Sequence, residues 1–434
     1  MNRILKALLA GVTAAGACLL SGCSYGNSNQ YFALPQPAGE YVQLQQLIDQ
    51  EIADGCEYAA PTQGRYRQSV LLYDTDADGT NEAFVFLRDK KQQAQVMIFD
   101  LAEDGYVPLV TLTREASAVS SIEFGDLDMD GAEELAVSWQ VAPDLNYLSI
   151  YRTVGAVGES LLDTDCCQFG IFDMTGSGTD ELIVIRNTGT AYMADMYTFR
   201  QGGEPQATTA ALSGGIESLK RVRFTPLSDG TPAVLVEAGL SSGDLATDLL
   251  ISRDGSLTNL TMNRATGVSG VRRSYSLVYS QDMNGDGILD IPDPQRLYSD
   301  GGEVFWSIAW YDYDATGRTT QIMTTYHCYS DGWYLVLPDK WTAGLTVQHS
   351  EDVAGEHSVS LCRLETNGKV TELVTIYSLT GENRYERARL DGRFTLAEND
   401  STVYAASLPQ GSVSRQDIQS NFNIIYTEWS SGSV

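Results

Sequence analysis

The sequence predicts a mainly β fold, in which a β-propeller of five to seven blades is followed by a smaller α+β domain. Three observations predict it. An acidic motif containing glycine recurs at intervals of about 50 residues, a period typical of propeller blades. Short apolar runs of strand length flank the copies, and the repeat pattern stops near residue 330. The shared glycines stand at positions 79, 131, 178, 230, 287 and 317.

The N-terminus has the pattern of a secretory signal peptide, assigned to residues 1–22. Arg3 and Lys6 precede an uncharged run over residues 7–20, which is shorter than the roughly 20 residues of a membrane span. The run ends in Leu-Ser-Gly-Cys23, which resembles the lipobox of bacterial lipoproteins. The resemblance implies that Cys23 is lipidated and begins the mature chain. An ordinary signal peptide with a chance cysteine is the alternative.

Residues 23–39 are rich in Gly, Asn, Ser and Pro, and they predict a flexible tether between the lipid and the folded part. The expected location is therefore the extracytoplasmic face of the cell membrane. The propeller is assigned to residues 40–330 and begins with a short helix, because Leu44, Ile48 and Ile52 recur every four residues. Part of a longer linker is the alternative for this helix.

The first repeat shows the strands of one blade. Residues 69–73 enter the acidic loop, residues 83–87 leave it, and residues 96–99 and 106–110 supply two more apolar runs. Four short strands per unit are typical of a propeller blade.

The repeated motif resembles the FG-GAP/VCBS repeats of integrin-α-like β-propellers over roughly residues 60–325. Phe124-Gly125 and Phe169-Gly170 match the Phe-Gly element that names the family. The fourth copy, around Asp229, has lost its acids, and the last interval is too short for a blade. The blade number therefore stays open between five and seven.

The acidic loops predict Ca²⁺ sites. Calcium binds six to eight oxygens at about 2.3–2.6 Å, and acids at loop positions 1, 3, 5 and 9, with Gly at 6 and a carbonyl at 7, can wrap one ion. The first loop offers Asp74, Asp76, Asp78, Thr80 and Glu82; the second offers Asp126, Asp128, Asp130, Ala132 and Glu134; the fifth offers Asp282, Asn284, Asp286, Ile288 and Asp290. The third loop is a weaker candidate, with Asp173, Thr175, Ser177 and Glu181.

Three other interpretations of these loops fit the residues less well. A helix–loop–helix EF-hand requires Glu at position 12, where the first two loops have Val85 and Val137. Asp293 makes the fifth loop dockerin-like, but no second loop of that kind follows. Simple polar turns would leave three or four like charges within nine residues repelling each other.

Residues 331–434 predict an α+β domain, with strands over residues 342–347, 357–363, 371–379 and 402–408. Ser414 and Asp417 resemble a capping box at the start of a closing helix. This segment is similar to parts of uncharacterised lipoproteins of anaerobic Gram-positive bacteria, a resemblance that implies no function.

Composition narrows the function. The chain has 57 acidic residues and 28 Lys and Arg, a net charge of −29, which disfavours nucleic-acid binding. The five cysteines after Cys23 form no CxxC pair and predict buried free thiols rather than disulfides. His349 and His357 predict a solvated surface turn, and the aromatic residues 306–313 predict core packing rather than a sugar platform.

The sequence therefore predicts a surface lipoprotein without enzymatic activity. Its calcium-stabilised propeller would bind a protein or glycan partner. The alternative is an extracellular carbohydrate-active enzyme or a glycan-binding protein on the same scaffold, because propellers host many functions. No catalytic residue is predicted, since no nucleophile elbow, HExxH motif or phosphate loop is present.

Overall fold

In the computed structural model of the protein, the described residues are 39–143, 145–274, 278–297, 304–410 and 413–425. Cys23, the signal peptide and the tether lie outside these residues. The helices are short: α1 (Gly39–Ala53), α2 (Asp339–Thr342), α3 (Arg384–Arg387) and α4 (Arg415–Asn421), with a 3-10 turn at Leu390–Gly392. Strands supply most of the remaining regular structure.

The first three repeats form three antiparallel sheets, each built from consecutive strands. The first contains β2 (Val70–Tyr73), β3 (Glu82–Arg88), β4 (Ala94–Ala102) and β5 (Gly105–Thr113), with β1 (Glu57–Tyr58) beside β3. The second contains β6 (Ala118–Gly125), β7 (Glu134–Ala142), β8 (Leu145–Tyr151) and β9 (Ser160–Cys166). The third contains β10 (Gln168–Phe172), β11 (Glu181–Asn187), β12 (Tyr192–Thr198) and β13 (Gln206–Ala211).

The fourth and fifth sheets follow the same plan with additions. The fourth contains β14 (Ile216–Pro226), β15 (Pro232–Leu240), β16 (Leu245–Arg253) and β17 (Ser256–Asn259). A small hairpin of β18 (Met262–Asn263) and β19 (Val268–Ser269) follows, and β20 (Arg272–Arg273) pairs with β16. The fifth contains β21 (Ile291–Arg296), β22 (Trp306–Tyr313), β23 (Thr319–Cys328), β24 (Trp333–Val336) and, from the C-terminus, β30 (Phe422–Ile424).

The C-terminal chain builds a sixth sheet in the order β25 (Leu345–Val353), β26 (Glu356–Leu364), β27 (Val370–Thr380), β29 (Thr402–Ser407) and β28 (Phe394–Glu398). The predicted capping box is confirmed: the Ser414 hydroxyl accepts the Asp417 N–H at 3.1 Å, and the Asp417 carboxylate accepts the Ser414 N–H at 3.2 Å. The helix that it starts ends at Asn421, because the next residues pair as β30 in the fifth sheet.

The second strand of each of the first four sheets is almost wholly buried on both faces. These strands are apolar runs without alternation, because both of their faces are covered, by neighbouring sheets or, in the first sheet, by the second sheet and α1. The hydrophobic clusters of the described residues join each sheet to the next one along the chain. The mainly β, propeller-type fold is therefore confirmed.

Helices cover the two ends of this stack of sheets. Leu44 and Ile48 of α1 are buried against the first sheet, as the four-residue spacing predicts. At the other end, Ala388 directly after α3 packs on Leu379, Val403 and Ala405 of the sixth sheet. The apolar faces at both ends are thus removed from water by short helical segments of the same chain.

The expected domain boundary at residues 330/331 falls inside the fifth sheet, since β23 and β24 pair across it. The division of the chain into two separable domains stays a prediction. The motif copy at Asp312–Gly317 is not the entry to a further blade but the hairpin between β22 and β23. This hairpin explains why the spacing between the last two motif copies is shorter than a blade.

The two Phe-Gly glycines lie where successive sheets approach closely. A Cβ atom on Gly170 would lie 2.5 Å from the Phe224 ring of the fourth sheet, and one on Gly125 would lie 2.6 Å from Ile171 of the third sheet. Neither glycine has a positive φ angle. Glycine is required at these positions for space between sheets rather than for backbone conformation.

Gly170→Ala should therefore lower the free energy of unfolding by about 1–3 kcal/mol, the usual cost of overpacking. Gly203→Ala is the control, because its Cβ would meet its nearest neighbour at 3.5 Å. The midpoint of urea unfolding measures both effects. Equal midpoints for the two variants would contradict the close approach.

Candidate metal centre

The acidic loops occupy equivalent places in the sheets. The first three connect the first and second strands of their sheets, and the fifth spans the bridge between Gln281 and Asp290 just before β21. Neighbouring loops touch: the Glu133 N–H donates to the Thr75 carbonyl at 2.7 Å. The loops therefore line one edge of the stack.

The first, second, third and fifth loops share two hydrogen bonds in which an acid side chain accepts a backbone N–H. In the first, the position-1 aspartate accepts the N–H of the position-6 glycine, in the pairs Asp74–Gly79 (3.1 Å), Asp126–Gly131 (3.1 Å), Asp173–Gly178 (2.8 Å) and Asp282–Gly287 (2.9 Å). In the second, the position-9 acid accepts the position-2 N–H, in the pairs Glu82–Thr75 (2.8 Å), Glu134–Leu127 (2.9 Å), Glu181–Met174 (2.9 Å) and Asp290–Met283 (2.8 Å). The loops thus have one common geometry.

Backbone conformation explains the glycine at position 6. Its φ angle is +90° at Gly79 and +92° at Gly131, a region that L side chains rarely adopt. Position 4 is also left-handed, although the first two loops have Ala77 and Met129 there, with φ angles of +58° and +63°. Such strain persists where the surrounding structure imposes it, and it is frequent at ligand sites.

In the first loop, carboxylate oxygens of Asp74, Asp76 and Asp78 lie within 4.8 Å of one another. The Asp74 Oδ1 atom is buried and has no hydrogen-bond partner among the described residues. Glu82 accepts both the N–H and the hydroxyl of Thr75 through one oxygen, at 2.8 and 2.6 Å. Three acids therefore converge here without a counter-charge in the group.

In the second loop, oxygens of Asp126, Asp128 and Glu134 converge within 4.8 Å. The Oδ1 atoms of Asp126 and Asp128 are buried without a partner among the described residues. Arg152 lies 3.1 Å from Asp128 and 3.6 Å from Asp130. Its guanidinium neutralises part of the loop, so a cation would compete with it.

The third loop satisfies its own polar groups. The Thr175 hydroxyl lies 2.9 Å from that of Ser177 and 3.1 Å from Glu181. These contacts favour the expectation of a weak site at Asp173, Thr175, Ser177 and Glu181. In the degenerate fourth loop, Asp229 accepts the Ala315 N–H at 3.0 Å and acts as a structural turn residue.

In the fifth loop, Asp290 is fully buried and its Oδ1 atom has no partner among the described residues. The Oδ1 atom of Asp312, on β22, is buried and unpartnered in the same way. Burial and the adjacent Asp312 raise the pKa of Asp290 to about 8. Sequence reasoning missed Asp312 as a neighbour of this loop, since only the pairing of β21 and β22 brings it there.

The expected position-7 residues Thr80, Ala132 and Ile288 donate their N–H groups to the position-5 aspartates Asp78, Asp130 and Asp286 at 2.7, 2.9 and 2.8 Å. The role of their carbonyls as ligands stays a prediction. Asn284 donates to Asp286 at 2.8 Å, so these two side chains lie side by side within the fifth loop.

Protonation of Glu134 gives a test of the second loop. Burial, assisted by Asp128 and Asp130, raises the pKa of Glu134 to about 7 from its ordinary 4.5. Because the folded state holds this proton more tightly, the stability that Glu134 contributes in chelator should be complete below pH 4.5 and should be lost as pH rises through about 7.

Glu134→Gln should flatten that fall and stabilise the calcium-free protein at pH 8, on the order of 1–3 kcal/mol. The same variant should respond less to calcium, because it lacks the carboxylate charge. Glu103→Gln, at an exposed position, is the control. Thermal unfolding in chelator and in calcium, between pH 5 and 8, measures both effects; a parallel pH profile for the variant would contradict the assignment.

The structure also bears on the predictions for the histidines, the tryptophans and the cysteines. The solvated-turn interpretation is wrong for His357, whose Nδ1 atom lies 2.6 Å from the Asp331 carboxylate. The prediction of core packing is confirmed for Trp310, and Trp333 and Trp341 are buried as well. The five cysteines in the described part of the chain are free thiols, as predicted, but only Cys166, Cys328 and Cys362 are buried. Among the described helices, none has the length and apolar character needed to cross a membrane.

No family model matches the chain, and no curated protein matches it. Solved structures similar to it include a chain of the BBS1N–ARL6DN complex soaked with lead, with 11% identity, coverage of 82% of this chain and 96% of that one, and a TM-score of 0.28. A Bacteroides uniformis protein provisionally described as a 6-phosphogluconolactonase has 10% identity, coverage of 69% and 82%, and a TM-score of 0.31.

The WD40 domain of SCAP from fission yeast has 12% identity, coverage of 76% and 66%, and a TM-score of 0.26. Because all three TM-scores lie well below 0.5, the fold assignment rests on the strand order and packing described above.

Proposed function

We propose that this chain is a cell-surface lipoprotein whose calcium-stabilised propeller-type stack is a binding or adhesion module for a protein or glycan partner. The buried carboxylate oxygens of the first two loops, which lack partners among the described residues, support the proposal most directly. A buried unpartnered carboxylate is costly, and a hard cation that takes several oxygen ligands offsets that cost.

The lipid anchor at Cys23 rests on the lipobox resemblance. The dense acidic composition agrees with a cation-dependent surface protein, because calcium would neutralise part of the excess negative charge. We propose no catalytic role for the loops, since their acids would bind calcium and also hold the loop backbone.

The structure gives less support to the glycan-binding alternative than to a protein partner. A sugar platform requires exposed aromatic faces, whereas Trp310 and Trp333 of the fifth sheet and Trp341 of α2 are buried. The other aromatic residues of the stretch 306–313 are only half-buried. A protein partner is therefore the first class to test.

The test compares the full-length protein with Cys23→Ala and with a first-loop variant in which Asp74, Asp76 and Asp78 become Asn. Cys23→Ala should lose acyl labelling and leave the membrane fraction. Crosslinking and pull-down from the native cell surface should recover one partner in calcium and several-fold less of it in chelator or with the loop variant. Unchanged recovery in chelator would contradict a calcium-dependent binding module, and a Cys23→Ala protein that stays membrane-bound at high salt would contradict the anchor.

A further inference from the structure

A second cluster of metal-binding side chains lies where the fifth sheet meets the sixth, and it is separate from the acidic loops. Cys328 is the last residue of β23, Asp331 lies in the turn before β24, and His357 is on β26. The Cys328 sulfur, a carboxylate oxygen of Asp331 and a ring nitrogen of His357 all lie within 4.8 Å of one another.

The sixth sheet fixes Asp331 through three directly opposed residues. His357 faces Ser378, and Ser378 faces Tyr404, on the adjacent strands β26, β27 and β29. His357 Nδ1 lies 2.6 Å from Asp331 Oδ2, and the Ser378 hydroxyl donates to the same oxygen at 2.6 Å. The Tyr404 hydroxyl donates to the Asp331 carbonyl at 2.7 Å. Hydroxyl groups that hold a ligating aspartate in this way are typical of outer-shell support for metals.

A polar cavity of about 380 Å³ adjoins the cluster, and its lining includes Ser330, Asp331, His357, Ser378 and Thr402. The cavity gives a metal ion a route from solvent and leaves room for water or another ligand. Cys328 itself is 3% exposed, so its sulfur faces the interior side of the cluster.

We propose that Cys328, Asp331 and His357 form a binding site for a divalent transition metal of the zinc type. A thiolate, an imidazole and a carboxylate are the ligands that zinc takes in proteins, at about 2.0–2.3 Å. Three protein ligands leave a fourth position open towards the cavity. Calcium does not suit this set, because it takes oxygen ligands.

Metal binding has a defined proton balance. A cysteine binds a metal as the thiolate, so the Cys328 sulfur passes its proton to solvent when the metal–sulfur bond forms. In the metal-free protein the Asp331 carboxylate can only accept, so His357 Nδ1 carries its hydrogen towards Asp331. If Nδ1 is the ligating atom, that hydrogen moves to Nε2 and adds no further released proton. Because metal binding releases a proton, affinity should rise with pH.

A purely structural role for these residues makes a different prediction. The contacts of Asp331 with His357, Ser378 and Tyr404 would hold the turn on the sixth sheet. The thiol would add only hydrogen bonds to the Ser330 hydroxyl, at 3.3 Å, and to Asp331. Under that role, replacing Cys328 would change no metal-dependent signal.

The test is cobalt titration of the full-length, reduced protein in saturating calcium, which keeps the acidic loops occupied. A thiolate-to-cobalt charge-transfer band should appear with one equivalent of Co²⁺, and one equivalent of Zn²⁺ should remove it. Cys328→Ser should abolish the band, and the matched control Cys362→Ser, another buried thiol in the sixth sheet, should keep it. Asp331→Asn and His357→Gln should weaken cobalt binding roughly tenfold or more.

The circular dichroism spectra of the variants check their folding, and the conservative Cys328→Ser change keeps the result interpretable if His357→Gln unfolds. The absence of a charge-transfer band in the unmodified protein, or its survival in Cys328→Ser, would overturn the proposal. Calcium-dependent stability is read independently of this band, so the two proposals fail separately.

Discussion

Replacing Asp74, Asp76 and Asp78 together with asparagine should remove most of the stability that calcium gives the first loop, while it stabilises the protein in chelator. The three carboxylates converge within 4.8 Å, so without a cation they repel each other, and amides of the same shape do not. Calcium binding at a hundredfold excess over the dissociation constant contributes about 2.7 kcal/mol per site. Stability curves of the variant and the natural protein should therefore cross as calcium rises.

The matched controls are Asp173→Asn in the third loop and Asp229→Asn in the fourth. The third loop has the same backbone hydrogen bonds but pairs its own hydroxyls, and Asp229 holds a turn. Neither control should change the calcium response by more than a few tenths of a kcal/mol. Thermal unfolding in chelator, calcium and magnesium measures this. Magnesium should restore less stability, because it prefers strict octahedral sites and loses its water reluctantly. A melting temperature that is the same in chelator and in millimolar calcium would show that the loops are acidic turns that bind no calcium.

Glu237→Gln should destabilise the protein by about 3–5 kcal/mol, because it leaves Arg273 as an uncompensated buried charge. The two side chains form an ion pair with exposures of 0% and 2%. Arg273 also donates to the Val278 carbonyl at 3.0 Å and to the Thr247 hydroxyl at 2.8 Å, and the Ser280 N–H donates to Glu237 at 2.9 Å. The pair thus connects the fourth sheet to the segment that leads into the fifth loop.

Glu57→Gln gives the comparison at an exposed pair. Glu57 and Arg88 lie 3.3 Å apart, with side chains 56% and 32% exposed, and such pairs contribute about 0–1 kcal/mol. A double change of Glu237 and Arg273 to Leu and Met should cost less than Glu237→Gln alone, because it removes both charges. Urea unfolding of the variants provides the measurement. A cost below 1 kcal/mol for Glu237→Gln would show that water reaches this pair.

The repeats were readable from the sequence because each loop is a local feature. The left-handed glycine, the position-1 aspartate that accepts its N–H and the buried strand that follows all lie within about ten residues, so their pattern survives without knowledge of the fold. The helix at Leu44 and Ile48 and the cap at Ser414 were predictable for the same reason. The third loop keeps the same backbone geometry although hydroxyls replace two of its acids, so the motif was recognisable there as well.

Features that depend on sheet-to-sheet contact were not readable. The hairpin at Asp312–Gly317 looked like another loop copy, because acids and glycine make both structures. Position 170 needs glycine because the ring of Phe224, more than 50 residues later, lies against it. Asp312 meets Asp290 only through strand pairing. His357 looked solvated because its neighbours in sequence are charged, whereas its partner Asp331 arrives from another sheet.

The sequence by itself determined the mainly β fold, the loops and the acidic character of this protein, because periodicity, turn chemistry and charge act over a few residues. Tertiary structure decided which carboxylates are buried and unpartnered, where Arg152 and Arg273 place their charges, and that Cys328, Asp331 and His357 meet. Those properties depend on distances between residues far apart in the chain, and packing between successive sheets sets these distances.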